Sequence, residues 1–505
     1  MKPALAGSSP TFTFEERSAA GRLRTRLRAA LAGPPSWLIV ALLGGVLGYA
    51  LVAKTPLLIL APLVLVLLVV SLWKPRTLAL IALAISPLGT IAVAMLPGVD
   101  FRFSMMTWWL PAGALLAMSL FAKRTLIVSK ATLALTVYAL FLFSSALWSA
   151  KPAVALKEGL QFFTFVWIFL VFDNLFQTPR QLQNGALIFL GMSTLVVGGS
   201  AFSASVTPIL PELRMGKVFA LRFVDAYYHP VTIAALASSV VLMATSLLLG
   251  ARLSTARRVR LCVSLVTGLL LCAAILKRSA TAGLMGGGLL MLSFYGWRRT
   301  GLFAVVSALI VTAVAVSFPD VRGRFADAAD PMASRSHYAM PYVGWIMFKE
   351  QPLLGHGVGS FSYSAAPIVA RMHILDIHHV SPDELKEPHN IVAKIASESG
   401  IGGLVLFGVF LGIVLWTTFR ACRGSGWPLP NVQAVCRGFL GASIVQLTVT
   451  LFENVDNHVI FWIILAMGYR GARMIEEYRR PLAEARVPAR RTWPQPARPV
   501  VQRTR

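Results

Sequence analysis

Charge is scarce in this 505-residue chain and one-sided where it occurs. Charged residues make up 13% of it, with 21 acidic side chains against 47 lysines and arginines, a net charge of +26. Soluble domains carry about 25% charged residues, so a water-facing globular surface is excluded over most of the length. Cysteine is nearly missing. Cys262 and Cys272 fall in one apolar run, and Cys422 and Cys436 flank a basic loop. That pattern gives no disulfide framework, and no pair has metal-ligand spacing. The pair His378-His379 lacks the carboxylate–histidine spacing a metal site needs. Residues 1–35 have no apolar core, so a cytoplasmic basic arm is expected there rather than a cleavable signal peptide.

Hydrophobic residues are abundant, at 56%. Apolar runs of bilayer length recur from Trp37 almost to the C-terminus, and one span needs roughly 20 such residues. The expectation is an all-α polytopic membrane protein with about 12–14 transmembrane helices and one large loop; a β-barrel would show short alternating segments instead. The chain divides into a basic arm at 1–35, a helical bundle at 36–318, a large loop at 319–388, further spans at 389–473, and a basic tail at 474–505. No internal repeat suggests the inverted symmetry of many transporters.

The positive charge has two readings. Nucleic-acid binding is one. The distribution favours the other, because the arginines sit in short loops and tails, where the positive-inside rule places them. Arg252, Arg257, Arg258 and Arg260 form one such loop, Arg298 and Arg299 a second, Arg420 and Arg423 a third. With both termini inside, the opposite face holds the stretch 205–230, the turn at Lys277-Arg278 and the loop 319–388. In that loop, "YVGWIMFKEQPLLGHGVGSF" suggests an amphipathic helix ending before Pro352, followed by a glycine-rich turn.

Four positions converge on that outer face: Arg222 in "ALRFVDAYYHP", Arg278 in "ILKRSATAGLMGGG", Arg335 in "RSHYAMPYVGW", and His389 in "EPHNIVAKIASESGIGG". A helix is expected to start near His389. At about 100° per residue, Ala393, Ala396, Gly400 and Gly403 then share its face, a small-residue stripe that lets another helix approach. Guanidinium groups keep their charge and clamp phosphate oxygens in pairs. A neutral histidine can take a proton from a hydroxyl. The blander alternatives are interfacial packing for His389 and snorkelling for Arg222. Arg278 fits neither well, because it stands with Lys277 on the side where positive charge is disfavoured, and charges near the membrane core are functional by default.

"HNIVAKIASESGIGG" is similar to the signature of the O-antigen ligase and polymerase superfamily: His, then Asn, Ser or Gln, nine residues, Gly, two residues, and Gly, Thr or Tyr. His389, Asn390, Gly400 and Gly403 fill it without a gap. Upstream, Trp345 to Phe361 resembles that family's W…P-L-L-G-x-G-x-G-x-F segment, and "RFVDAYYHP" and "KRSATAGL" resemble its two arginine segments. Asp225 and His229-Pro230 depart from the family's first arginine segment. The resemblance covers about Arg222 to Gly403. It implies a membrane-embedded, GT-C-like inverting glycan transferase at the periplasmic face of the bacterial inner membrane. The implied donor is a glycan on undecaprenyl diphosphate. The implied acceptor is lipid A–core for a ligase or a lipid-linked repeat unit for a polymerase. Arg278 and Arg222, with Arg335 as a further candidate, would hold the diphosphate, and His389 would activate the acceptor hydroxyl. No metal or other cofactor and no nucleic-acid partner is implied. A transporter of lipid-linked sugars and a structural scaffold of an envelope complex are the readings from other classes.

Overall fold

The computed structural model describes residues 74–88, 103–122, 125–206, 222–223, 226–227, 230–275, 277–302, 335–371, 388–424, 429–453 and 458–484, with positions 305 and 309. The elements in chain order are α1 Pro75–Ile85, α2 Phe103–Ala122, α3 Lys130–Ser144, a 3-10 turn Ser145–Leu147, α4 Pro152–Leu175 and α5 Pro179–Val206. A two-stranded hairpin follows, β1 Arg222–Phe223 and β2 Ala226–Tyr227. Then come α6 Pro230–Gly250, α7 Thr255–Ile275, α8 Arg278–Ser293, α9 Arg335–Glu350, α10 Phe361–Arg371, α11 Ile391–Cys422, α12 Pro430–Thr450 and α13 Val459–Glu484. This is an all-α polytopic membrane protein. Among the described residues six helices are long and apolar enough to cross a bilayer. Residues 36–73, the first part of the bundle expected at 36–318, lie outside the described residues.

The helices are held by close backbone approach rather than by side-chain hydrophobicity, since lipid is as apolar as leucine. α6 and α12 form the centre and are largely buried inside the protein, whereas most of α11 is not. Gly283 of α8 lies against Val445 and Thr448 of α12, and Gly287 against Gly441. Gln446 donates to Ser239 Oγ of α6 at 3.0 Å, and Ser246 Oγ donates to the Ala434 carbonyl at 2.7 Å. These contacts fix the directions: α6 and α8 run together, and α12 runs against both. A second cluster gathers round the fully buried Trp462 of α13, which stacks on Phe165 of α4 at 4.3 Å between ring centroids.

Two ends follow from this register. The basic end carries Arg252, Arg257, Arg258 and Arg260 after α6, Arg298 and Arg299 beyond α8, and Arg420 and Arg423 at the foot of α11. It is also tied by a buried ionic network. Asp173 of α4 is 1% exposed and accepts from Thr132 Oγ1 at 2.7 Å and from Arg473 at 3.3 Å. Arg470 donates to the Phe176 carbonyl at 2.9 Å and pairs with Glu477 at 2.9 Å. The opposite end carries the β1–β2 hairpin, in which Arg222 pairs with Tyr227. All four cysteines are free thiols.

Candidate functional site

At the hairpin end α11 begins, and it does not begin at His389. Asn390 is the N-cap: its side chain accepts from the Ala393 amide at 2.9 Å, closing one of the unpaired N–H groups of the first turn. Its amide nitrogen also donates to the Leu451 carbonyl at 2.9 Å, which pins the start of α11 to the end of α12. His389 stands one residue outside the helix with φ of +50°, and is the one non-glycine residue with positive φ among those described. Such a backbone is costly for a side chain larger than glycine and marks a constrained position. The turn brings His389 Nδ1 to 3.4 Å from Glu453 Oε2, just past α12. The ring is 30% exposed and the carboxylate 16%.

The expected small-residue face along α11 is corrected by the structure. Ala393 does meet another helix, with Gly344 of α9 packed on it. At Gly400 the helix breaks, with φ +60° and ψ −161°, a conformation open essentially to glycine alone. Gly400 and Gly403 therefore do not continue the face of Ala393 and Ala396. They serve the break instead. A break leaves carbonyls and amides unpaired, each costing about 1–3 kcal/mol when buried. Here the loop after α9 supplies partners for four of these groups. The His356 amide donates to the Ser397 carbonyl at 3.1 Å, and Gly357 to Glu398 at 2.8 Å. In return, Ile401 donates to the Pro352 carbonyl at 2.8 Å, and Gly402 to Leu353 at 3.2 Å. Gly355 has φ +67° and lies so near the Glu398 and Ser399 backbone that a Cβ there would have no room. Thus P-L-L-G-H-G and the glycines after His389 are two halves of one joint. The helix α9 ends at Glu350, before Pro352, as its sequence pattern suggests.

Arg278 is the first residue of α8, with Lys277 as its N-cap. Its side chain is exposed. Because Gly283 sits beside Val445 and Thr448, the start of α8 reaches the level where α12 ends and Glu453 follows. Arg222 lies in the hairpin that leads into α6 at Pro230, on the same end. Arg335 opens α9. Since α9 runs alongside α11 (Gly344 on Ala393, Pro352 on Ile401), its start points to the same end and lies further out. The side chains of Arg222 and Arg335 lie outside the described residues. The backbone places the starts of α6, α8, α9 and α11 at one end, and each helix N-terminus carries positive partial charge. The end suits an anion such as a phosphate. Among the described residues, no three His, Cys, Asp or Glu side chains gather as a metal site would.

Sequence reasoning assigned no role to Glu453. It lies in "FENVDNH" after α12, far along the chain from His389. The one signal available was an acidic residue at the hairpin-side end of a span, in a protein with few acids.

No curated protein matches the chain. Residues 263–408 match the family described as O-antigen ligase; Arg222 and Glu453 lie outside that stretch. The matched stretch holds Arg278, Arg335, the glycine loop, His389 and the break at Gly400, and over these residues the chain is similar to that family.

Proposed function

We propose that this protein is a membrane-embedded inverting glycan transferase of the O-antigen ligase type. It would take a polysaccharide from undecaprenyl diphosphate and transfer it to a hydroxyl of lipid A–core at the periplasmic face. The observation that carries this reading is the His389–Glu453 pair on the same end as Arg278. That end is opposite the arginine-rich loops, and cytoplasmic loops are the ones enriched in Lys and Arg. Both termini would then be cytoplasmic and the site periplasmic.

The chemistry follows from these groups. With Nδ1–H donated to Glu453, Nε2 carries the ring lone pair. Nε2 takes the proton of the acceptor hydroxyl as its oxygen attacks the anomeric carbon. The bond from that carbon to the diphosphate oxygen breaks, and configuration inverts. The imidazolium formed is stabilised by the Glu453 carboxylate, as a buried acid stabilises a catalytic histidine elsewhere. The departing diphosphate gains negative charge, which Arg278, Arg222 and Arg335 and the helix N-termini receive. The reaction as drawn uses no metal.

The test is a transfer assay in vesicles with undecaprenyl-diphosphate-linked glycan, with and without chelator. Lipid A–core and a second lipid-linked repeat are offered separately to wild type and to His389→Ala. Product on lipid A–core, lost in the variant, is the expected result. Longer chains still on the polyprenyl carrier would make the protein a polymerase using the same site. No covalent product with either acceptor would overturn the transferase reading and leave lipid-linked sugar transport.

A further inference from the structure

We propose that Glu398 is a positioning residue for His389: its carboxylate holds the N-terminus of α10 and so sets the angle of α11 at the Gly400 break. This inference rests on the reading of His389 as the transfer base.

Glu398 is 3% exposed, two residues before the break. It grips the glycine loop twice. Its Oε1 accepts from the amide of Phe361, the first residue of α10, at 3.2 Å. Its own carbonyl accepts from Gly357 at 2.8 Å. The first turn of α10 has amides with no partner inside the helix, and a carboxylate there answers both the missing hydrogen bond and the dipole. Lys394, one turn earlier on α11, and Glu158 of α4, beside Gly359, are the charges that face it.

The segment from Ile391 to Gly400 is a lever of about 14 Å at 1.5 Å per residue. A pivot of about 5° at its foot moves the His389 end by about 1 Å, and a misplacement of that size can cost about 100-fold in rate. The break is where such a pivot is easiest, because the helix's own hydrogen bonds stop there. Glu398 opposes it by joining the segment to α10 as well as to the loop.

The experiment compares wild type, Glu398→Gln and Glu398→Ala in lipid nanodiscs. Turnover and donor KM are measured across a donor titration, and amide exchange is followed in peptides spanning 351–361 and 391–402. Glutamine keeps the accepting oxygen, so Glu398→Gln retains transfer near the wild-type rate and wild-type exchange. Glu398→Ala loses about 100-fold in turnover, with donor KM little changed and faster exchange in both peptides. Wild-type turnover in Glu398→Ala would overturn the proposal. So would a Gln variant as inactive as Ala, since the carboxylate would then be handling a proton. If Glu398→Ala does not accumulate, Glu398→Asp, one methylene short, is expected to give intermediate exchange and turnover, and wild-type values for both would overturn the proposal. Should wild type itself make no product, the transfer reading fails, and unchanged exchange in the Ala variant would separately sink the positioning role.

Discussion

His389 Nδ1 and Glu453 Oε2 lie 3.4 Å apart although far apart in sequence, one just before α11 and one just after α12. The contact is held from below by Asn390, which caps α11 and bonds Leu451. A base paired with a carboxylate through its other ring nitrogen has a fixed tautomer and orientation. His389→Ala is therefore expected to abolish transfer while the protein reaches the membrane at its usual level. Equal loss of membrane-borne protein on an immunoblot would instead assign the ring to packing.

Glu453→Gln should keep the shape of that contact and lose its charge. We expect turnover to fall about 100-fold or more, with donor KM little changed, because the imidazolium that forms during transfer loses its counter-charge. Initial rates across a donor titration separate the two parameters. A variant with wild-type turnover would remove Glu453 from the site.

Arg278→Lys tests the diphosphate clamp. One ammonium cannot reproduce a planar fork that binds two oxygens at once. Transfer should fall at least about tenfold, and Arg278→Ala should fall further. Arg278 is exposed at a helix start, so folding should be unchanged, as unfolding midpoints in detergent will report. Normal activity in the Lys variant would refute bidentate binding.

Gly400→Ala should destabilise the protein by about 3 kcal/mol or more. Its added Cβ would fall 2.5 Å from the Leu353 backbone, in a conformation that side chains avoid. Gly408→Ala, on the same helix with nothing within 4 Å, is the control and should be neutral or slightly stabilising. Unfolding midpoints in detergent compare them.

At the basic end, Asp173→Ala would leave Arg473 and Thr132 facing a vacated position. Breaking one partner of a buried pair costs about 3–5 kcal/mol. We expect a lower unfolding midpoint with unchanged transfer per folded molecule, because this network is at the far end from His389. Transfer lost in step with a changed donor KM would connect the two ends.

The helical, multi-spanning character was legible because apolar length and basic loops are properties of short stretches. The motif at His389 was legible too, as a spacing. What the glycines do was not. A pattern of small residues at helical intervals reads as a face, and the interval alone cannot show that the helix stops at Gly400. Only the loop after α9, folded back from an earlier part of the chain, gives the freed backbone groups their partners. Glu453 and Glu398 were hidden for a related reason. Each works through a contact with residues distant in sequence, and neither has a local period that would mark it.

The joint at Gly400 makes the motif's spacing a matter of phase. Eleven positions separate His389 from Gly400, and each added or removed residue in the helical part would turn the histidine end by about 100° about the axis. The loop bonds fix the lower end and the Leu451 bond fixes the upper, so neither end can rotate to absorb the error. Apart from Glu398, side chains along Ile391–Ser399 can vary in kind, but a change in their number would aim the imidazole away from Glu453.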